Sequence, residues 1–233
     1  MDFPQAGGHK LMVKLYGKTV MKPTTSKEIS FYIDAHPPLR SFIPTIYMAC
    51  PLTYVISMFS QNKLAKITEK GYTDILFMEN ITKLEDEFIL DIKLGKIHWV
   101  SSSSQNIIDN HVKRNKNSLT TTHRFRLDGA FIKNVLSLSK EDCRDFNIEQ
   151  VNRVLSCLSD FTKKLLIDWI DKLINILEKL PISIYGPSIL ISGTNKDPRF
   201  TLIDFAVHDT DKDTTKGSDL IEGLVSFRNF LIS

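Results

Sequence analysis

Leu90-Asp91-Ile92-Lys93-Leu94-Gly95 is the stretch on which the reading of the whole sequence turns. Strand periodicity puts Leu90, Ile92 and Leu94 on one face and Asp91, Lys93 and Gly95 on the other. The apolar face anchors the strand, while an acid and an amine project together from the opposite side. Gly95 carries no side chain, so a ligand can approach the backbone there. A carboxylate suited to ribose hydroxyls thus stands beside a lysine suited to phosphate oxygens. A half-buried strand with two ordinary solvent charges has the same pattern, so the neighbouring sequence has to decide.

Upstream, the chain reads mostly as strands. Residues 10–16 alternate, with Leu11, Val13 and Leu15 on one face, Gly17 turns, and residues 19–22 return as the second arm of a hairpin. Ser26 can cap a short helix over 26–35, stopped by His36-Pro37-Pro38. Residues 54–59 and 72–79 are strand-like and flank a lysine-rich connection; 88–94 is a further strand. Downstream lies a polar, basic stretch from the Ser101–Ser104 patch to about Thr122. Asn147 and Gln150 then resemble a cap pair, and Val151, Leu155, Leu158, Phe161, Leu165, Trp169, Leu173 and Leu177 follow at helical spacing as far as Leu180-Pro181. A hairpin over 188–192 and 199–206 turns at Gly193-Thr194-Asn195-Lys196-Asp197-Pro198, and a last helix covers 219–231. Strands, a hinge and then mainly helices give an α+β chain.

Composition narrows the function. The 233 residues are 42% hydrophobic and 24% charged, as in ordinary globular proteins. No apolar run reaches the ~18 residues of a membrane helix, and the start of the chain reads as no secretory signal. Cys50, Cys143 and Cys157 stand far apart without ligand spacing, which points to a reduced intracellular protein, cytoplasmic or nuclear. A net charge of +3 is too small to argue for nucleic acid, so an anionic ligand needs a local cluster.

Three further features supply chemistry. Asp204 closes the apolar run Thr201-Leu202-Ile203, where an acid is costly to bury unless paired or bound to a cation; capping the next turn is the plainer alternative. Lys22 ends the strand Thr19-Val20-Met21, and Glu28 lies in the first turn of the next helix, the pairing by which kinases aim a lysine at nucleotide phosphates. His111, Lys113, Arg114 and Lys116, with His123, Arg124 and Arg126 beyond, form the densest cationic stretch, suited to a multiply phosphorylated ligand or to solvated surface.

These pieces, in this order, resemble the inositol polyphosphate kinase family. Its hallmark Pro-x-x-x-Asp-x-Lys-x-Gly is matched by Asp91-Ile92-Lys93-Leu94-Gly95, with Glu87 at the proline position. Ile203-Asp204-Phe205-Ala206 is similar to Ile-Asp-Phe-Ala-His, with Val207 at the histidine position and His208 one place late. Gln5-Ala6-Gly7-Gly8-His9, Glu28-Ile29-Ser30-Phe31-Tyr32, Glu79-Asn80-Ile81-Thr82, Phe125-Arg126-Leu127-Asp128-Gly129 and Ser188-Ile189-Leu190 resemble further family motifs, so the likeness spans nearly the whole chain.

The resemblance implies an α+β, two-lobed, protein-kinase-like (ATP-grasp-like) fold. A small N-lobe sheet would occupy 1–80, a larger C-lobe 81–233, and a short substrate-binding insert about 96–124. It implies ATP and Mg2+ as cofactors, an inositol polyphosphate as substrate, no nucleic-acid partner, no membrane span, and a monomer. Backbone groups of Glu79 and Ile81 would hold adenine and Asp91 the ribose. Lys22, oriented by Glu28, would meet the phosphates, and Asp204 would hold the metal. Lys93 would neutralise the transferring phosphoryl group, and Lys113, Arg114, Lys116 and His208 would contact substrate. The sequences around 28–44 and 118–125 look closest to hexakisphosphate kinases, with multikinases next; the short N-terminal region disfavours the trisphosphate 3-kinases. A catalytically weak inositol phosphate-binding scaffold of the same fold is the alternative. A protein kinase is disfavoured because no His-Arg-Asp catalytic loop occurs.

Overall fold

The computed structural model describes residues 11–15, 18–100, 103–209 and 218–233. The Gln5–His9 motif and the Gly17 turn therefore lie outside the described residues. The chain separates into two compact units, the described residues of His9–Ile81 and those of Thr82–Ser233.

In the first unit, β1 (Val13–Lys14) and β2 (Thr19–Thr24) form the hairpin, followed by α1 (Ser26–Ile33), β3 (Ile46–Pro51), α2 (Gln61–Glu69) and β4 (Asp74–Glu79). The sheet is antiparallel in the order β1-β2-β4-β3. Leu11, Met21, Leu52, Phe59, Ile67 and Ile75 form its core. Thr25, not Ser26, occupies the N-cap of α1. The expected strand over 54–59 is instead two 3-10 turns, Leu52–Tyr54 and Ile56–Met58. They close through Val55 N–H to Leu52 O and Phe59 N–H to Ile56 O, both 3.1 Å. Leu52 and Phe59 are buried in the core and Val55 packs against it, while Tyr54 is 79% exposed. Tyr54, Ile56 and Met58 are exposed, so this short apolar run forms no pleated face. The lysine-rich connection that follows is α2.

The second unit contains β5 (Phe88–Leu94), α3 (Gln105–Asn115), α4 (Leu119–His123), β6 (Phe125–Ile132), β7 (Leu136–Leu138), α5 (Lys140–Cys143), α6 (Ile148–Leu155), α7 (Asp160–Leu177), β8 (Ser183–Ile184), β9 (Ser188–Gly193), β10 (Pro198–Ile203), β11 (His208–Asp209) and α8 (Ser218–Ile232). An antiparallel five-stranded sheet runs β10-β9-β5-β6-β7, and β11 pairs with β8. β5 is central. Ile92 and Leu94 face Leu127 and Phe125 across the ladder, and α8 covers this apolar side, with Phe227 5.1 Å from Phe125 between ring centroids. Where the family motif has proline, the Glu87 N–H donates to Gly193 O at 2.8 Å. A proline has no N–H for that bond, so Glu87 starts the strand by an added ladder contact.

The long helix expected over 151–177 is two helices. The Asn147–Gln150 capping box is present at the start of α6. The break at 156–159 is stitched by Asn195 of the β9–β10 turn, whose Nδ2 donates to Cys157 O at 2.9 Å while its Oδ1 accepts from Ser159 N–H and Thr162 Oγ1, each at 2.8 Å. The break shifts the buried stripe to Thr162, Leu166, Ile170, Leu173 and Leu177, leaving Phe161 59% exposed. No helix among the described residues is long and apolar enough to cross a membrane, and all three cysteines are free.

Candidate active site

In the first unit, Lys22 and Thr24 lie two apart on β2 and so share a face. Glu28 sits in the first turn of α1, where the helix dipole favours an acid. Lys22 Nζ is 2.7 Å from Glu28 Oε1, with both side chains almost fully buried, and Thr24 Oγ1 donates to Glu28 Oε2. A buried amine is costly without a partner, so the carboxylate fixes where Lys22 points. At the end of β4, Glu79 N–H donates to Thr45 O at 2.8 Å. Any adenine contact from Glu79 therefore falls to its carbonyl; Ile81 follows two residues later.

In the second unit, the face of the sheet opposite α8 is charged. Lys93 stands opposite Arg126 on β6 and Ser188 on β9. Asp91 pairs with Gly129 but Ile92 with Leu127, so β6 has one extra residue at this bulge, Asp128. Asp128 accepts from Arg126 Nε at 2.7 Å and from Lys140 Nζ at 2.6 Å. Arg126 Nη1 also donates to Asn115 Oδ1 at 2.8 Å and Thr120 Oγ1 at 2.9 Å.

The two buried acids titrate in opposite directions. Burial would raise Asp128, but the positive charges of Arg126, Lys140 and Lys93 outweigh it and hold the carboxyl at about 2. Asp91 is pushed up to about 7 by burial first, then by the negative charges of Asp128 and Asp204, against the pull of Lys93. Its Oδ1 and the Ser188 Oγ are buried and neither meets hydrogen-bond geometry with any partner, although the Ser188 hydroxyl is close enough to draw the Asp91 value down slightly. Buried polar atoms are normally satisfied, so these two mark where a polar ligand fits. Lys93 is itself held below its ordinary value by burial, opposed by Asp204 and Asp128.

Because the folded-state pKa of Asp91 is raised, its ionisation costs stability above the ordinary carboxylate range, and the loss is complete once pH passes about 7. Asp91→Asn should therefore stabilise the ligand-free protein by about 2 kcal/mol at pH 8, with a smaller gain at pH 5. Thermal melts at the two pH values measure this.

Asp204 follows β10 directly and adopts a left-handed conformation, φ 70°, which Asp tolerates better than most residues. That kink ends the strand earlier than the sequence suggests. It sets Asp204 Oδ2 3.9 Å from Lys93 Nζ. One partly exposed carboxylate is a hard oxygen donor of the kind Mg2+ takes together with nucleotide phosphates. Among the described residues no group of three or more His, Cys, Asp or Glu forms a ready-made metal cage, so phosphates would complete the coordination.

The expected insert, 96–124, is helical in α3 and α4. Both its ends are tied to Asp219 of α8: Ile97 N–H donates to Asp219 Oδ2 and Arg124 Nη1 to Asp219 Oδ1, each at 2.8 Å. Gly95 packs so tightly there that a Cβ would lie 2.5 Å from Asp219 Oδ2. Lys113, Arg114 and Lys116, all exposed, do not act as one group. At 100° per residue, Arg114 falls on the side of His111 and Asn115, the residue that Arg126 holds, whereas Lys113 and Lys116 point about 140–200° away from His111. His208 is buried, its Nδ1–H donating to Phe205 O at 2.9 Å, so one ring nitrogen is held at the backbone beside Asp204.

Sequence reading missed Asp128, Lys140 and Asp219. For Asp128 the signal was present: an acid amid the apolar alternation of Phe125-Arg126-Leu127-Asp128-Gly129-Ala130-Phe131 must be paired if the strand is central.

Among solved structures, the chain is similar to inositol phosphate multikinase Ipk2 of S. cerevisiae, solved with ADP and Mn2+, at a TM-score of 0.70 and 19% identity, covering 93% of this chain and 98% of that one. A second inositol phosphate multikinase structure matches at a TM-score of 0.65 and 16% identity, covering 88% and 98%. No curated protein matches the chain in sequence. The inositol polyphosphate kinase family model matches residues 75–231, more than half of the sequence, and the chain belongs to that family.

Proposed function

We propose that this protein transfers the γ-phosphoryl group of ATP, with Mg2+, to an inositol polyphosphate, as a hexakisphosphate kinase or a multikinase. The observation that carries the reading is the meeting of Lys93 and Asp204 beside the unsatisfied carboxylate of Asp91. Asp91 takes a ribose hydroxyl through its free oxygen. Lys22, held by Glu28, meets the nucleotide phosphates, and the Glu79 carbonyl and Ile81 backbone serve adenine. Mg2+ at Asp204 supplies charge neutralisation for the phosphates. Lys93 neutralises the phosphoryl group as it moves, an interaction that strengthens in the transition state. The saccharide-like acceptor lies against the insert, with Arg114 as its principal exposed cation. His208, its Nδ1 held at Phe205 O, keeps its ring fixed beside Asp204 as a substrate-side residue.

Incubation with ATP, Mg2+ and a panel from inositol trisphosphates to hexakisphosphate tests this, with products separated by charge. Transfer to hexakisphosphate marks a hexakisphosphate kinase; transfer only to lower phosphates marks a multikinase. Binding without transfer to any of them would favour the scaffold alternative, and neither binding nor transfer would remove the reading.

The geometry of α3 separates its cations. Arg114→Ala should raise the KM for the inositol phosphate about tenfold, since a charge-assisted phosphate contact contributes roughly 1.5–3 kcal/mol. The double change Lys113→Ala with Lys116→Ala should shift it less than threefold, and the KM for ATP should hold in both. Initial-rate kinetics at two salt concentrations check the comparison, with added salt eroding the Arg114 effect.

A further inference from the structure

Between β5 and α3, the chain places an imidazole that the proposed mechanism does not use. His98 lies three residues beyond Gly95. Its ring stacks on His111 of α3, with centroids 6.0 Å apart and planes 7° from parallel. Trp99 packs on the other flank of His111, at 6.1 Å. Gly186, at φ 57°, makes room for His98, because a Cβ there would lie 2.2 Å from His98 Nδ1. His98 as a residue is half-buried, and its Nε2 is buried and has no hydrogen-bond partner. A structural histidine normally satisfies its inward nitrogen. This one does not.

The groups that face it are those of the charged sheet face. Lys93 of β5, Arg126 and Asp128 of β6 and His111 of α3 all act on His98 electrostatically. Cations therefore predominate in the electrostatic surroundings of the ring, and through His111 the side chain is coupled to the same insert helix that presents Arg114. Resting on the proposed function above, we propose that His98 is a further substrate contact, its Nε2 meeting a phosphate group of the phosphorylated cyclitol alongside Lys93 and Arg126.

A consequence separates this from a structural role. Burial, followed by Lys93, Arg126 and His111, holds His98 well below its ordinary value, with Asp128 opposing them; the ligand-free ring is neutral. A phosphate dianion brought among those cations offsets their charge and favours the imidazolium. His98 then gains a proton as the ligand binds, and Nε2–H donates a charge-assisted bond. Substrate binding is thus linked to proton uptake, and affinity rises as pH falls from 8 towards 6.

The test is calorimetric titration of the full chain with inositol hexakisphosphate and, separately, inositol 1,4,5-trisphosphate. It is run without nucleotide, at pH 7 in two buffers of different ionisation enthalpy. His98→Gln keeps a hydrogen-bonding side chain but cannot take up the proton. Ligand titration contributes equally to wild type and variant and cancels in their difference. We expect His98→Gln to weaken binding at least tenfold, to bind measurably fewer protons, and to leave ADP affinity and the melting temperature near wild type. Equal affinity and equal proton count in the variant would overturn the proposal. So would a proton deficit that follows His111→Gln and not His98→Gln. ATP turnover by the wild type is measured in parallel. Its absence on every acceptor sinks the kinase reading, whereas turnover with an indifferent His98→Gln sinks only this inference.

Discussion

Asp204→Asn is expected to abolish phosphoryl transfer while leaving the fold standing. The substitution is nearly isosteric, and Asn accepts the left-handed conformation at this position, φ 70°, at least as well as Asp. Backbone strain therefore does not change, and the Leu202 packing of β10 is untouched. What is lost is the carboxylate that the proposed function assigns to holding Mg2+ against the nucleotide phosphates. It is also the acid 3.9 Å from Lys93 Nζ, so the amine loses its nearest fixed counter-charge and its orientation. Removing a metal ligand withdraws several kcal/mol of transition-state stabilisation; at about 4 kcal/mol the rate falls about a thousandfold. Single-turnover assays at saturating Mg2+, beside a thermal melt, measure both halves of the expectation. Turnover within tenfold of wild type would remove Asp204 from the chemistry.

How much of this was legible beforehand depends on the range of the interactions involved. The 88–94 strand, the Asn147–Gln150 cap and the hairpin read over 188–192 and 199–206 follow from local periodicity and turn chemistry, and the structure has them, with the second arm ending at Ile203. The break between α6 and α7 was invisible because Asn195, the residue that stabilises it, comes 36 positions after Ser159. No local pattern announces such a partner. The 54–59 segment misled for a related reason: a short apolar run signals a strand only when a neighbouring strand is there to pair, and at this point of the chain the backbone closes on itself in two 3-10 turns. In the site, Lys22–Glu28 and Lys93–Asp204 were readable as residue types at suggestive positions. Their distances required the fold. Asp128 needed a bulge to be understood, since the register shift between Asp91 and Ile92 is what brings a second acid to the face already holding Asp91. The splitting of Lys113 and Lys116 from Arg114 likewise depends on α3 being helical through its last turn, which the basic composition concealed.

Arg126→Met is expected to cause a large loss of stability in the second unit. The side chain is nearly buried and makes three directed bonds, to Asp128, Asn115 and Thr120. Methionine matches much of its length but offers no donor. Asp128 is then left almost wholly buried with only Lys140, whose side chain is 45% exposed and whose charge is correspondingly screened by water. Removing one member of a buried ion pair costs about 3–5 kcal/mol. The surviving lysine places this case near the lower figure, about 3 kcal/mol, or a fall in Tm of about 6–12 °C for a chain of this size. Two controls identify the cause. Asp128→Leu added to Arg126→Met removes the stranded charge, so the double variant should be more stable than the single one, a non-additivity expected of residues in contact. The second is pH. Asp128 has a depressed folded-state value of about 2, so its contribution is fully present above the ordinary carboxylate range near pH 4 and is lost as pH falls through 2. Without Arg126 the depression shrinks, and the variant should lose less stability than wild type between pH 4 and 2. Arg126 also ties Asn115 and Thr120 to the sheet, and so carries the insert that bears Arg114 and His111. At temperatures where the variant stays folded, its KM for inositol phosphate should rise while its KM for ATP does not. If both constants moved together, Arg126 would be supporting the whole unit and not the insert alone.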